Sequence, residues 1–248
     1  MQDLLSHKTA ILLTLLISLM VLERAFPAVI LRSQLERLTR NFSFAAFNIL
    51  LSPFIVVPLT FYASNAALHW RPEWATGWVI DLLLLDCWIY FWHRINHRIP
   101  FLWRFHEVHH LDENLDVSSA VRFHFGEVIL SSLVRAGVIL IFGIPIQSVL
   151  VFEILVTAAA LFHHSNIKIP HWLERPLSFV IVTPSIHFVH HHAVRTDTDS
   201  NYSTILSVWD RLFGSSNKTE RTAHFKVGVE GLGDAPLLRL ILRPFYRA

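Results

Sequence analysis

From Asn41 to Trp70 the chain runs 30 residues without a single Asp, Glu, Lys or Arg. A helix crosses the hydrocarbon layer with about 20 mostly apolar residues, so a neutral stretch of this length reads as a membrane span. Pro53 and Pro58 should kink it. The rest of the chain agrees: 53% of its 248 residues are apolar, only 16% are charged, and mean hydropathy is +0.44. This composition excludes a disordered or collagen-like chain and disfavours a soluble domain. The single cysteine, Cys87, excludes a disulfide framework and a cysteine-based metal site. A net charge of +2 excludes nucleic acid as an expected partner.

Further spans follow from the same pattern. Residues 9–31 hold the apolar run Ala10–Leu22, then Glu23 and Arg24, then Ala25–Leu31, so the charged pair must sit near an end or face protein. Only Lys8 precedes the run as a basic leader, and no small-x-small site lies before Glu23; an anchor helix is expected rather than a signal peptide. Residues 74–92 are apolar apart from Asp81 and Asp86. Val128–Phe162 carries only Arg135 and Glu153, and Gly143 and Pro145 divide it into spans 128–142 and 146–162. With 42–68, the expectation is an all-α bundle of four to five membrane helices. No repeat or linker divides the chain, so residues 1–248 form one domain.

Lys and Arg in short connections set orientation. Arg32, Arg37 and Arg40 follow the first span, Arg71 alone follows the second, and Arg94, Arg98, Arg104 and Arg122 follow the third. The amino terminus is therefore expected outside. Residues 93–127 and 163–248 are then expected as a cytoplasmic cap. Trp70, Trp74, Trp78, Trp88, Trp92 and Trp103 suit interfacial positions, and the tail 237–247, mixing apolar residues with Arg239, Arg243 and Arg247, suits a membrane surface.

Sixteen histidines are present, and they cluster. His93 and His97 are four apart, so on a helix both imidazoles face one way. His106, His109 and His110 form H-x-x-H-H, and His187, His190 and His191 repeat it. Unpaired buried imidazoles are costly, and a shared metal satisfies them. Eight such donors exceed the four to six or so that one ion takes, which implies two metals. Imidazole alone does not choose among iron, copper, zinc and nickel, but a pair of redox metals beneath lipid-facing helices suits oxygen chemistry on an aliphatic chain. Two other classes compete. His106-Glu107-x-x-His110 satisfies the zinc-protease signature, with Glu107 as base, but leaves His93, His97, His109 and the second cluster unexplained. A metal-ion transporter would place its site near the bilayer midplane, whereas these histidines follow the spans. Neutral ligand imidazoles predict metal loss below about pH 6.

The chain resembles the fatty acid hydroxylase/sterol desaturase superfamily of integral-membrane di-iron enzymes from about Asp86 to Gly214. The likeness rests on Asp86-x3-Tyr90-x2-His93-Arg94-x2-His97, Trp103-Arg104-Phe105-His106-x2-His109-His110 and Arg122-Phe123-His124. It continues through Phe162-His163-His164-Ser165-Asn166-Ile167, Thr183-Pro184, His187-x2-His190-His191, Asn201-Tyr202 and Trp209-Asp210-Arg211-Leu212-Phe213-Gly214. The resemblance implies a histidine-rich cytoplasmic cap, two irons, dioxygen and a lipid substrate that is hydroxylated or desaturated. By position its ligands are His93, His97, His106, His109, His110, His164, His187, His190 and His191, with His163 as an alternative to His164 and His124 either a ligand or a hydrogen-bonding neighbour. His171 and His192 match no role and read as surface residues.

Relatives often carry Asn-Tyr-Gly where this chain has Asn201-Tyr202-Ser203; if the glycine serves a positive φ, Ser203 strains the turn by about 1–2 kcal/mol. Ligating imidazoles usually donate their other N–H to a carboxylate or carbonyl, and Asp86, then Asp210 and Asn201, are the expected acceptors, with capping or pairing to Arg94 or Arg98 as the alternative for Asp86. No Rossmann fingerprint or Cys-x-x-Cys-His occurs, so a separate electron donor is expected: a reductase, a ferredoxin or a b-type cytochrome. Nothing resembles an endoplasmic-reticulum retrieval signal, and a bacterial cytoplasmic membrane is the expected location. The particular lipid is not named by any residue.

Overall fold

A computed structural model describes residues 2–31, 35–67, 77–222 and 225–246, with side chains from His7 onward. Arg32, Trp70, Arg71, Trp74 and Arg247, used above for orientation or interfacial placement, lie outside these residues. The described chain is all-helical, with four isolated bridge pairs and no strand. In order, the helices are α1 (Gln2–Ala25), α2 (Leu35–Leu51), α3 (Val56–Ala66), α4 (Gly77–Arg98), α5 (Pro100–His110), α6 (Phe125–Phe142), α7 (Ile146–His164), α8 (His171–Ser178), α9 (Pro184–His190), α10 (Arg195–Thr198), α11 (Val208–Leu212) and α12 (Leu237–Leu242), with 3₁₀ turns at Val117–Val121 and Arg243–Phe245.

Two of these, α6 and α7, are long and apolar enough to cross a membrane, and α2 with α3 makes a third candidate bent by 48° at its break. The break falls at residues 52–55, around Pro53, where a missing N–H and ring clash interrupt the helix. Gly143 ends α6 in the left-handed region at φ 62°, and Pro145 then starts α7, giving the hairpin expected at 142–145. Leu133, Val134 and Ile141 on α6 are exposed, as are Ile11, Leu13, Ile17 and Val21 on α1. Such faces suit lipid.

The first helix ends earlier than the expected residue 31. α1 stops at Ala25 because Pro27 disfavours helix just before it. Residues 26–31 instead run beside 166–168, with Ala28 N donating to Asn166 O and Lys168 N to Phe26 O. Glu23 faces protein, accepting from the backbone N–H groups of Val117 and Asn166.

The core between the long helices gathers Ala63, Leu85, Ala136, Ile139, Val149 and Phe152. A polar lattice fixes the other end. Arg37 pairs with Asp112 at 2.8 Å and also with Asp116, Asn41 donates to Asp112, and fully buried Arg122 pairs with Asp234 at 2.5 Å. Arg37 and Arg40, read above as topology signals, are both engaged in ion pairs here. The tail is not simply laid on a surface: Leu240 is buried against Phe44, Val108 and Leu111, while Leu238, Phe245 and Tyr246 are exposed.

Candidate metal centre

Helix geometry brings the histidines together. α4 continues past its apolar part, so His93 and His97 project one turn apart beyond it. Pro100 at the first turn of α5 forces a new helix, which carries His106, His109 and His110. Pro184 does the same for α9, which carries His187 and His190 and ends at His191. α7 delivers His163 and His164 at its last turn. Gly126, in the first turn of α6, lets α5 approach closely: a Cβ there would lie 2.5 Å from the Phe105 ring.

Nine of these residues form two groups. One nitrogen from each of His93, His97, His106, His110 and His190 lies within 4.8 Å of the others, and the same holds for His109, His164, His187 and His191. The His110 and His191 rings stack at 4.3 Å, joining the groups. His93 lines a cavity; the other eight are buried. Burial first, and neighbouring imidazoles second, hold His109, His110, His187 and His191 well below the usual histidine range. Burial pushes His190 down to about 3.

The hydrogen bonds set the tautomers. His93 Nδ1 bonds Tyr202 O at 2.8 Å, His190 Nδ1 bonds Ser200 O at 2.7 Å, and His106 Nδ1 bonds Glu127 Oε1 at 2.9 Å. His109 Nδ1 bonds Arg122 O at 3.2 Å and His164 Nδ1 bonds Ala160 O at 2.8 Å. A carbonyl only accepts, so in a neutral ring the proton sits on Nδ1 and Nε2 is a bare lone pair. The bare Nε2 atoms of His109 and His164 nevertheless face each other at 3.1 Å. His187 Nε2 stands 3.0 Å from His164 Nε2 and 3.1 Å from His191 Nε2. Opposed lone pairs repel unless a cation lies between them. Nitrogens about 2.1 Å from one ion and at right angles are themselves about 3.0 Å apart, so the spacing fits shared ligation. In the other group, Nε2 of His97, His106, His110 and His190 is buried with no hydrogen-bond partner. Both groups fit a metal ion.

His124 stands apart. Its Nε2 bonds Ile241 O at 2.9 Å and its Nδ1 accepts from Gly126 N at 3.0 Å, so it caps α6 and has no free nitrogen. His163 is in neither group; its Nδ1 bonds Thr204 O, and the ring packs 4.0 Å from His187. His171 is exposed, and His192 pairs with Asp197 at 2.7 Å.

The three expected acceptors do not hydrogen-bond the rings; they act one layer further out. Asp86 accepts from Ile205 N, Leu206 N and the Trp209 indole. Asp210 accepts from Tyr202 N, Ser203 N and the Ser215 hydroxyl. Asn201 bonds Ile186 O and Asn217 N. Asp210 and Asn201 hold segment 200–204, and Asp86 the adjoining 205–206; the carbonyls of Ser200, Tyr202 and Thr204 accept from His190, His93 and His163. The expected strain at Ser203 is absent. Asn201, at φ 53°, is the non-glycine with positive φ among the described residues, and asparagine tolerates that region.

Glu127 is the functional residue the sequence reading missed. Its signal was a carboxylate immediately before the long apolar stretch at 128. Glu107 is turned elsewhere: its Oε2 accepts from Arg243 Nε at 2.6 Å, and it does not line the cavity that reaches the histidines.

That cavity holds about 310 Å³; Val56, Ile89, Val128, Val156 and Ala160 line it together with Glu127, Ser132 and Arg135, and His93, His106, His109, His164 and His187 reach it. A mostly apolar cavity that reaches these imidazoles has room for an aliphatic chain beside them.

Comparison with known proteins places these residues in context. The fatty acid hydroxylase family matches residues 78–215. The chain is 27% identical over 180 residues to an ornithine lipid hydroxylase of Rhizobium tropici, covering 72% of this chain and 54% of that protein. It is 31% identical over 153 residues to an alkylglycerol monooxygenase of Danio rerio, covering 60% of this chain and 32% of that protein. A cholesterol 25-hydroxylase-like protein of Danio rerio is 26% identical over 136 residues, 54% of this chain and 53% of the relative. The chain thus spans about half the length, or a third, of these relatives. No solved structure matches.

Proposed function

The chain belongs to the fatty acid hydroxylase family, and from that premise we propose that it is an integral-membrane enzyme that uses two non-haem irons and dioxygen to hydroxylate an aliphatic C–H bond of a lipid. The observation that carries the reading is the pair of bare Nε2 atoms of His109 and His164 at 3.1 Å, within two adjoining groups of buried imidazoles. Nine rings would hold the ions: His93, His97, His106, His110 and His190 one, and His109, His164, His187 and His191 the other. Redox-active ions bound there would supply the dioxygen activation that protein side chains cannot.

This chain's residues supply geometry. Tyr202, Ser200, Arg122 and Ala160 carbonyls and the Glu127 carboxylate hold Nδ1–H groups, so each Nε2 points inward before any ion arrives. Val128, Val156 and Ala160 exclude water and align a hydrocarbon chain beside the rings. We read α1, α2 with α3, α4, α6 and α7 as the membrane bundle, with the histidines on its cytoplasmic side and a bacterial cytoplasmic membrane as the location. Electrons would come from a separate donor, and exposed Arg98 and Arg104 are available to an acidic one.

The test is incorporation of oxygen from ¹⁸O₂ into membrane lipid by cells producing the chain, compared with His106→Ala. The expected result is a labelled hydroxy-lipid in the first strain only. Peptidase activity of a single-zinc protein with no labelled lipid would contradict the proposal.

A further inference from the structure

α4 lines the cavity with Ile89, Trp92, His93 and Asn96, positions that share one helix face. Asn96 lies between His93 and His97, both of the five-histidine group, and is 1% exposed. Neither its Nδ2 nor its Oδ1 has a hydrogen-bond partner among the described residues. Other polar groups of the lining are engaged: Ser132 Oγ donates to Ile129 O, Thr157 Oγ1 to Glu153 O, and the Arg135 guanidinium to Thr60 Oγ1. By helical rise Asn96 stands about 4.5 Å beyond His93 and about 10 Å beyond Ile89, so the amide lies at the histidine end of this face.

A buried amide with both ends unmet costs free energy, whereas an apolar side chain of the same size there would not. Asparagine therefore marks a place where a donor and an acceptor arrive together from outside the chain. We propose that Asn96 is a specificity-determining residue: its Nδ2 donates to, and its Oδ1 accepts from, a neutral substrate group that does both, an alcohol or a secondary amide. This deepens the proposed hydroxylase reading and rests on it. The Asn96 amide brings no charge to an anion, and Glu127 repels one. That carboxylate bonds His106 and has Oε2 buried without a hydrogen-bond partner. The His106 ring is 4.9 Å from the His93 and the His97 rings alike, so Glu127 and Asn96 serve the same histidine group. The polar group is held just past His93, and the hydrocarbon runs back along Ile89, Val128 and Val156. The carbon beside the imidazoles is then a few bonds from the polar group and far from the terminal methyl. Hydroxylation of such a chain falls near its polar end.

The experiment uses the whole chain in phosphatidylcholine nanodiscs and measures retention of radiolabelled hexadecanol, methyl hexadecyl ether and hexadecane against empty discs, with iron content measured separately. The alcohol donates and accepts, the ether only accepts, and the alkane does neither. The expected order is alcohol, ether, alkane, with the alcohol held about tenfold tighter than the alkane. Asn96→Leu, close to the native residue in size, should abolish that order, hold the alkane at least as well, and leave the melting temperature unchanged or raised. A purely structural amide would lower the melting temperature in that variant and leave the order intact, which would overturn the inference. Equal retention of alcohol and alkane by the native chain, as when water alone meets the amide, would overturn it too. With ¹⁸O₂, label is expected near the hydroxyl end of hexadecanol; label at the methyl end would contradict the placement of the chain. A chain that keeps the order but puts no label into any lipid would overturn the hydroxylase reading and leave Asn96 as a binding residue.

Discussion

α5 and α9 carry the same H-x-x-H-H spacing but distribute it in opposite ways. On α5, His106 and His110 join the five-histidine group while His109 crosses to the four-histidine group. At α9, His187 and His191 join the four-histidine group while His190 crosses to the five. Positions i and i+4 share a helix face and i+3 is rotated from it, so each motif straddles two sites. The motif occurs twice because neither helix completes either group, and each group needs both. The anchoring differs too. His106, His109 and His190 have Nδ1 bonded to Glu127, Arg122 and Ser200, whereas Nδ1 of His110, His187 and His191 is buried with no hydrogen-bond partner.

Removing an anchor is the most direct way to break that comparison. Glu127→Gln keeps the shape of the side chain but weakens the acceptor that fixes His106. Ligand-orienting partners typically contribute 10–100-fold to metal affinity. Competition with a chelator should show a loss of that size confined to one of two ions; an equal loss of both would show that the groups are not separate.

Acid should act on both groups together. His190 titrates at about 3 in the fold and near 6.5 unfolded, so between those values the unfolded chain binds more protons and folding weakens as pH falls. His109, His110, His187 and His191 shift in the same direction. Thermal unfolding of metal-free protein should therefore move steadily lower from about pH 6.5 toward pH 4. A flat profile would show that the rings are solvated. Metal content followed over the same range tests the expected loss below about pH 6.

The smallest effect belongs outside both groups. His124→Ala removes a helix cap worth about 0.5–2 kcal/mol and should leave metal content unchanged. Loss of an ion in that variant would return His124 to the ligand set.

The sequence was most informative where one residue type and one period decide the outcome. Histidine spacing on short helices located the two groups of converging imidazoles, and Gly143 with Pro145 located the α6–α7 turn. It was least informative where partners come from distant segments. Asp86 looked like a histidine acceptor because it lies two turns before His93, yet its bonds run to residues 205, 206 and 209. The acceptors for His93, His190, His109 and His164 are backbone carbonyls, which no side chain advertises. Glu127 reads in sequence as a charge at the edge of a span, and only the approach of α5 at Gly126 brings it to His106. Likewise hydropathy marked residues 26–31 as helix, while Pro27 and pairing with 166–168 decided otherwise.

Two ions on one set of converging imidazoles would show in the metal content of the purified chain, measured by elemental analysis. About two irons per chain are expected, with His164→Ala retaining about one. One zinc per chain, or iron unaffected by loss of His164, would contradict it.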